Sequence, residues 1–66
     1  MPTLNERLRA ERNSHKYTQE EIADMIKKSR ATYAKYETGD REPDVETLKK
    51  LADIFKTSVD YLIGRY

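Results

Sequence analysis

Apolar residues recur along this chain at helical intervals. Leu4 and Leu8 lie one turn apart, Ile22, Ala23 and Ile26 follow an i, i+1, i+4 pattern, and Tyr33 and Tyr36 are three apart. Leu48, Leu51, Ala52 and Phe55 make a longer stripe, and Val59, Leu62 and Ile63 close the chain. No stretch alternates as a strand would. Start signals precede the stripes. Thr3-Leu4-Asn5-Glu6 and Thr18-Gln19-Glu20-Glu21 both match the capping box, and Tyr17 with Ile22 occupies the positions of a hydrophobic staple. Ser29, Asp44 and Ser58 are further N-cap candidates, and Gly39 and Gly64 stand where helices should stop. These signals predict five short helices, over 4–14, 19–26, 30–38, 45–55 and 59–63.

Composition narrows the picture. A chain of 66 residues is one domain. It buries only about 60% of the surface its unfolded form exposes, which leaves no room for an enclosed catalytic cavity and argues against an enzyme. Charged residues make up 38% of the chain, yet 13 Lys and Arg stand against 12 Asp and Glu. Near-zero net charge with periodic apolar positions indicates a folded chain with a solvated surface. Without cysteine there is no disulfide framework, thiolate zinc site or cysteine nucleophile, which fits a reducing, cytoplasmic setting. No apolar run approaches the roughly 18 residues needed to span a membrane, and no signal peptide is visible at the start.

Between the second and third predicted helices lie only Lys27, Lys28 and Ser29. Three residues are too few for an antiparallel return and enough for a sharp corner, which is a helix-turn-helix spacing. On a helical wheel, Tyr33, Tyr36 and Glu37 fall on one side of the third helix, with Ala31, Ala34, Lys35 and Thr38 on the other. From Lys27 to Tyr36 there are four basic residues and no acidic one. Screening confines electrostatic reach to about 10 Å, so this local excess outweighs the neutral whole. A slim, basic, outward helix fits a major groove about 12 Å wide. Spacing and charge alone equally suit a bundle corner with an ordinary solvated face.

Thr18-Gln19-Glu20-Glu21-Ile22-Ala23, Ser29-Arg30, Tyr36-Glu37-Thr38-Gly39-Asp40-Arg41-Glu42-Pro43, Glu46-Thr47-Leu48 and Leu51-Ala52 form an ordered series. Together they resemble the Xre family of bacterial and phage regulators, kin to lambdoid phage repressors and Cro, without a gap from about Leu4 to Gly64. The resemblance implies an all-α, five-helix lambda-repressor-like domain spanning 1–66, its helix-turn-helix at about 18–38, with the third helix in the major groove. It further implies base contacts from Arg30, Ala31, Thr32 and Lys35. Arg30 and Lys35 are suited to guanine, and Ala31 to a thymine methyl. Gln19 would hold a phosphate at the start of the second helix, with Thr18, Lys28 and Ser29 near it, and Thr38 and Arg41 would hold the backbone across the groove. Tyr36 is expected in the core, with its hydroxyl a candidate for a phosphate. Arg12 and Glu37 match an ion pair tying the first helix to the third.

Departures from the family pattern carry their own expectations. Lys27 stands where glycine is usual, which predicts a lysine at positive φ, and Lys28 replaces a small apolar residue. Asp40 replaces a common lysine and Thr38 a common asparagine, changes that weaken phosphate binding. Tyr33 and Tyr36 replace other apolar residues, so their hydroxyls must reach an edge or a partner. Glu11 falls where many relatives have leucine. His15, the only histidine, lacks a second ligand, so no metal site and no cofactor is expected. Glu20, Glu21 and Asp24 suit the positive end of a helix dipole better than acid-base chemistry.

The expected protein is therefore a repressor of operator DNA, a homodimer on a two-fold site, with no membrane role. Tyr61, Ile63 and Tyr66 are the candidates for the dimer patch, since Val59 and Leu62 continue the core stripe. Two alternatives use the same domain: the antitoxin of a toxin-antitoxin pair, bound to a toxin partner, and a restriction-modification controller. A third is a protein-interaction module that no longer binds DNA, for which Asp40 and the missing turn glycine speak. An antirepressor partner is left open.

Overall fold

The computed structural model describes residues 3–64. Its five helices are α1 (Leu4–Ser14), α2 (Gln19–Met25), α3 (Arg30–Thr38), α4 (Val45–Ile54) and α5 (Val59–Ile63), with no strand among the described residues. All five begin at an extended residue, and in the last four its side chain accepts an amide of the first turn. Thr18 accepts the Glu21 amide at 3.1 Å while its own amide donates to Glu21 Oε1 at 2.8 Å, a closed capping box. At Thr3 the amide donates to Glu6 Oε1 over a longer 3.4 Å. Ser29, Asp44 and Ser58 accept the amides of Thr32, Thr47 and Tyr61 in the same way.

The apolar stripes converge on one core. Leu8, Ile22, Tyr33, Leu51 and Leu62, one from each helix, have no solvent exposure, and Phe55 has 2%. α3 sits at the centre, packed against both α1 and α2, while α5 bridges α1 and α4. The short α2–α3 connection suits the shared packing on α3, because α2 crosses it within the four residues 26–29.

Two helices stop one residue before the expected position. Ile26 and Phe55 are C-caps, their amides still bonded one turn back to Ile22 and Leu51. The next residue in each case is a lysine in the left-handed region, Lys27 at φ 58° and Lys56 at φ 54°, and Lys16 does the same after α1 at φ 60°. Each of these ends closes with the same double bond of the Schellman motif. After α2, Lys28 N donates to Ala23 O at 2.9 Å and Lys27 N to Asp24 O at 3.2 Å. Tyr17 and Lys16 bond Arg12 and Asn13 likewise, and Thr57 and Lys56 bond Ala52 and Asp53. The positive φ expected at Lys27 is present. Its counterparts at Lys16 and Lys56 were not anticipated, since neither replaces a recognisable glycine.

A left-handed L-residue costs about 1–2 kcal/mol, and glycine removes that strain while losing about 0.5–1 kcal/mol to its greater freedom when unfolded. Lys27→Gly, Lys16→Gly and Lys56→Gly should each therefore stabilise the domain by up to about 1 kcal/mol. Thermal melts would show a rise of roughly 4–8 °C per kcal/mol gained. A lowered melting temperature would mean that the lysine stem contributes packing the strain argument ignores.

Candidate nucleic-acid interface

The turn between α2 and α3 aims α3 outward, and the helix has two unlike sides. Tyr33, Tyr36 and Glu37 are at most 3% exposed, whereas Arg30, Ala31 and Lys35 lie open to solvent and Thr32 is half-buried. Lys27 and Lys28 are exposed at the corner, so the four cations flank a face of small side chains. Ser29 caps the helix and donates through its hydroxyl to Thr32 Oγ1 at 2.9 Å, fixing both hydroxyls at the α3 N-terminus.

Behind that face is a buried carboxylate. Glu37 is 1% exposed, and Arg12 grips it with two bonds, Nε to Oε2 at 2.6 Å and Nη2 to Oε1 at 3.2 Å. Gln19 Nε2 donates to the same Oε1 at 3.2 Å, so α1, α2 and α3 meet on one side chain. Arg12 also donates to Tyr17 O at 2.9 Å, holding the loop that leads into α2. Burial alone would push the Glu37 carboxyl up. The bonds from Arg12 and then Gln19, with the neighbouring Tyr33 hydroxyl acting the same way, outweigh it and hold the carboxyl below its ordinary range. The Glu37 bond in turn raises Arg12.

Burial pushes the Tyr33 phenol up, and the adjacent carboxylate adds to the effect. The Tyr33 hydroxyl, expected to find an edge or a partner, is buried facing the Glu37 carboxylate, short of ordinary hydrogen-bond geometry. Tyr36 lies in the core, as expected. Its ring is 3% exposed and stands edge-on to Tyr33 at 6.2 Å, and its rim meets a cleft lined by Thr3, Asn5, Gly39 and Arg41 rather than the open face of α3.

The other expected backbone contacts fall into two groups. Thr18, Gln19 and Arg30 line an open concavity with Arg12, Tyr17 and Glu20, where the start of α2 faces the start of α3. Thr38 and Arg41 are exposed past the other end of α3, where Gly39 adopts φ 86°. The Thr38 hydroxyl there lies 3.1 Å from Asp40 Oδ2 and 3.2 Å from Lys35 O, so intramolecular acceptors already claim its proton. Lys28 is close enough to Asp44 to help hold that N-cap carboxylate low, although bonds from Thr47 do most of this.

Sequence reading passed over Arg9. It lies three residues before Arg12 on the same face of α1, its Nε 3.9 Å from Glu37 Oε1, with 60% of the side chain exposed. That i, i+3 spacing was the available signal. At the far end, Tyr61 is half-buried under the Arg7 guanidinium, 4.5 Å from its ring centroid, while Ile63 is 36% exposed. Tyr66 lies outside the described residues. No group of acidic, histidine or cysteine side chains among the described residues could hold a metal, and no helix there is long and apolar enough to cross a membrane.

The helix-turn-helix family model matches residues 8–62, which takes in α2, α3, α4 and the whole corner with most of α1 and α5. The chain belongs to the Xre-type helix-turn-helix family. It is 45% identical over 60 residues to YonR of Bacillus subtilis, an uncharacterized HTH-type transcriptional regulator derived from the SPbeta prophage, covering 91% of this chain and 56% of that protein. It is 41% identical over 63 residues to RstR, a transcriptional repressor of the cryptic phage CTXphi in Vibrio cholerae, covering 96% and 56%. The chain thus spans about half the length of the curated relatives it matches. Among solved structures, the P22 c2 repressor in complex with a synthetic operator superposes with a TM-score of 0.90 at 30% identity, covering 96% of both chains. The lambda-repressor-like fold is therefore that of this domain.

The folded pKa of Glu37 lies below its ordinary value of 4.5, so its ionised form adds stability above that pH, which is lost as pH falls through the folded value. Glu37→Gln should flatten the fall of melting temperature between pH 5 and 3. Arg12→Ala, by leaving the carboxylate buried without its main partner, should cost about 3–5 kcal/mol at neutral pH. Melts of both variants across that pH range check the pair, and a Glu37→Gln curve parallel to wild type would place the acid sensitivity in other carboxylates.

Proposed function

We propose that this domain binds operator DNA as a sequence-specific transcriptional repressor, with α3 in the major groove. The observation that carries the reading is the division of α3 into a buried Tyr33–Tyr36–Glu37 side and an exposed face of Arg30, Ala31 and Lys35. Burial of the first side leaves the second nothing within the domain to serve. A guanidinium, a methyl and an ammonium within two turns supply the chemistry that guanine and thymine edges present in the groove. The P22 c2 repressor supports the same reading, since its structure is of a complex with operator.

Gln19 acts as a positioning contact. One hydrogen of its amide group is committed to Glu37 Oε1, which turns the second, with the free backbone amide at the start of α2, toward the phosphate backbone. Arg41, Thr18, Lys28 and Ser29 add cationic or hydroxyl contacts on either side of the groove. Thr38 contributes less than its place suggests, because Asp40 holds its hydroxyl and repels phosphate. The protein works without catalysis, in the cytoplasm beside its DNA. It acts as a homodimer, because one recognition helix reads too few base pairs to single out a site among the million or more competitors in a genome. Ile63, exposed beside the half-buried Tyr61, is the centre of the dimer patch.

Selection of binding sites from random duplex DNA tests the reading and yields the operator. On that operator, Arg30→Ala or Lys35→Ala should cost about 1–3 kcal/mol and far less on random duplex, whereas Gln19→Ala should weaken both alike. Equal losses for all three would make Arg30 and Lys35 phosphate contacts only. Ile63→Asp should abolish cooperative binding to a two-fold operator while leaving the half-site affinity and melting temperature intact; retained cooperativity would move the dimer interface elsewhere.

A further inference from the structure

We infer that Arg9 is a further contact to the DNA backbone, a guanidinium held by Glu37 in the free domain and passed to a phosphate in the complex. The inference rests on the DNA-binding reading above. It begins from how fully Glu37 is already bonded. Oε2 takes Arg12 Nε at 2.6 Å, and Oε1 takes both Arg12 Nη2 and Gln19 Nε2 at 3.2 Å. Arg9, at 3.9 Å, is beyond hydrogen-bond distance and is drawn to the carboxylate by charge alone. Its side chain is 60% exposed against 15% for Arg12, so water screens that attraction, and pairs of this kind contribute little to stability.

Arg9 is thus tethered in place without being needed there. Its place is informative, because Arg9 and Gln19 approach the same carboxylate oxygen and are therefore neighbours. Gln19 lines the concavity shared with Arg12, Thr18 and Arg30, and Arg9 is joined to that group through the Glu37 carboxylate and lies three residues before Arg12 on α1. α1 packs against the buried side of α3, away from Ala31 and Lys35, so Arg9 meets the sugar-phosphate edge and not the bases. A guanidinium offers forked donors that match phosphate oxygens, which a screened and already satisfied carboxylate cannot use as well. The exchange leaves Glu37 paired with Arg12, so the core loses nothing.

Equilibrium binding of wild type, Arg9→Ala, Arg9→Lys and Lys49→Ala to the selected operator and to a random duplex, across a salt series, tests this. Neutralising one phosphate contributes about 0.9 to the slope of log affinity against log salt. Arg9→Ala should lower that slope by about this amount per bound protomer on both duplexes, with an unchanged melting temperature, and Arg9→Lys should restore it. Lys49→Ala removes the same charge from exposed α4 and should keep the wild-type slope. A wild-type slope in Arg9→Ala, an equal drop in Lys49→Ala, a loss confined to the operator, or a fall in melting temperature would each overturn the assignment. Salt-independent binding by the wild type itself would instead overturn the DNA-binding reading.

Discussion

A carboxylate removed from water must be compensated, and the arrangement of three helices follows from how Glu37 achieves this. Isolated at 1% exposure it would be protonated or would unfold its surroundings. Two bonds from Arg12 and one from Gln19 keep it ionised, and they do so only if α1, α2 and α3 hold their mutual angles. An apolar contact tolerates sliding, whereas a bidentate guanidinium does not. The orientation of α3 toward solvent is thereby set from behind, by a group that never meets the ligand.

The charge distribution explains how an almost neutral chain can approach a polyanion. Thirteen cations and twelve anions nearly cancel in sum, but the anions are spent at particular places. Glu6, Glu21 and Asp44 cap helices, and Glu37 is buried. The cations at the corner and on α3 are exposed, and only Lys28 among them acts on one of these carboxylates, that of Asp44. Asp40 is an anion left beside the expected backbone track, where it occupies the hydroxyl of Thr38.

Helix positions were legible because each start is written in a local code of Thr, Ser or Asp followed by its amide partner, and those bonds span only three residues. Wheel geometry alone placed Ala31, Lys35 and Thr38 on the exposed face of α3, although Ala34, expected with them, is half-buried. Long-range chemistry was legible only where the family resemblance supplied it, as at the Arg12–Glu37 pair. The edge-on packing of Tyr36 on Tyr33 and the occupation of the Thr38 hydroxyl by Asp40 depend on how distant groups and the loop after Gly39 are placed. Lys16 and Lys56 escaped notice because nothing in a lysine announces a left-handed backbone; the Schellman bonds impose it from outside the residue. Arg9 carries no mark in the sequence, because an arginine on an exposed helix face reads as ordinary solvated charge until Glu37 is placed beside it.

The last helix has a different character from the other four. Five residues are too few for a helix to persist by its own hydrogen bonds, so α5 exists through Leu62 in the core and through Arg7, whose guanidinium covers Tyr61 and donates to Tyr61 O at 3.0 Å. Amides at this end should be the first to exchange with solvent, opening locally while α3 stays closed. Ile63 sits on that labile segment. Any association through it would lend α5 the order it lacks alone, so that pairing and the completion of folding become one event.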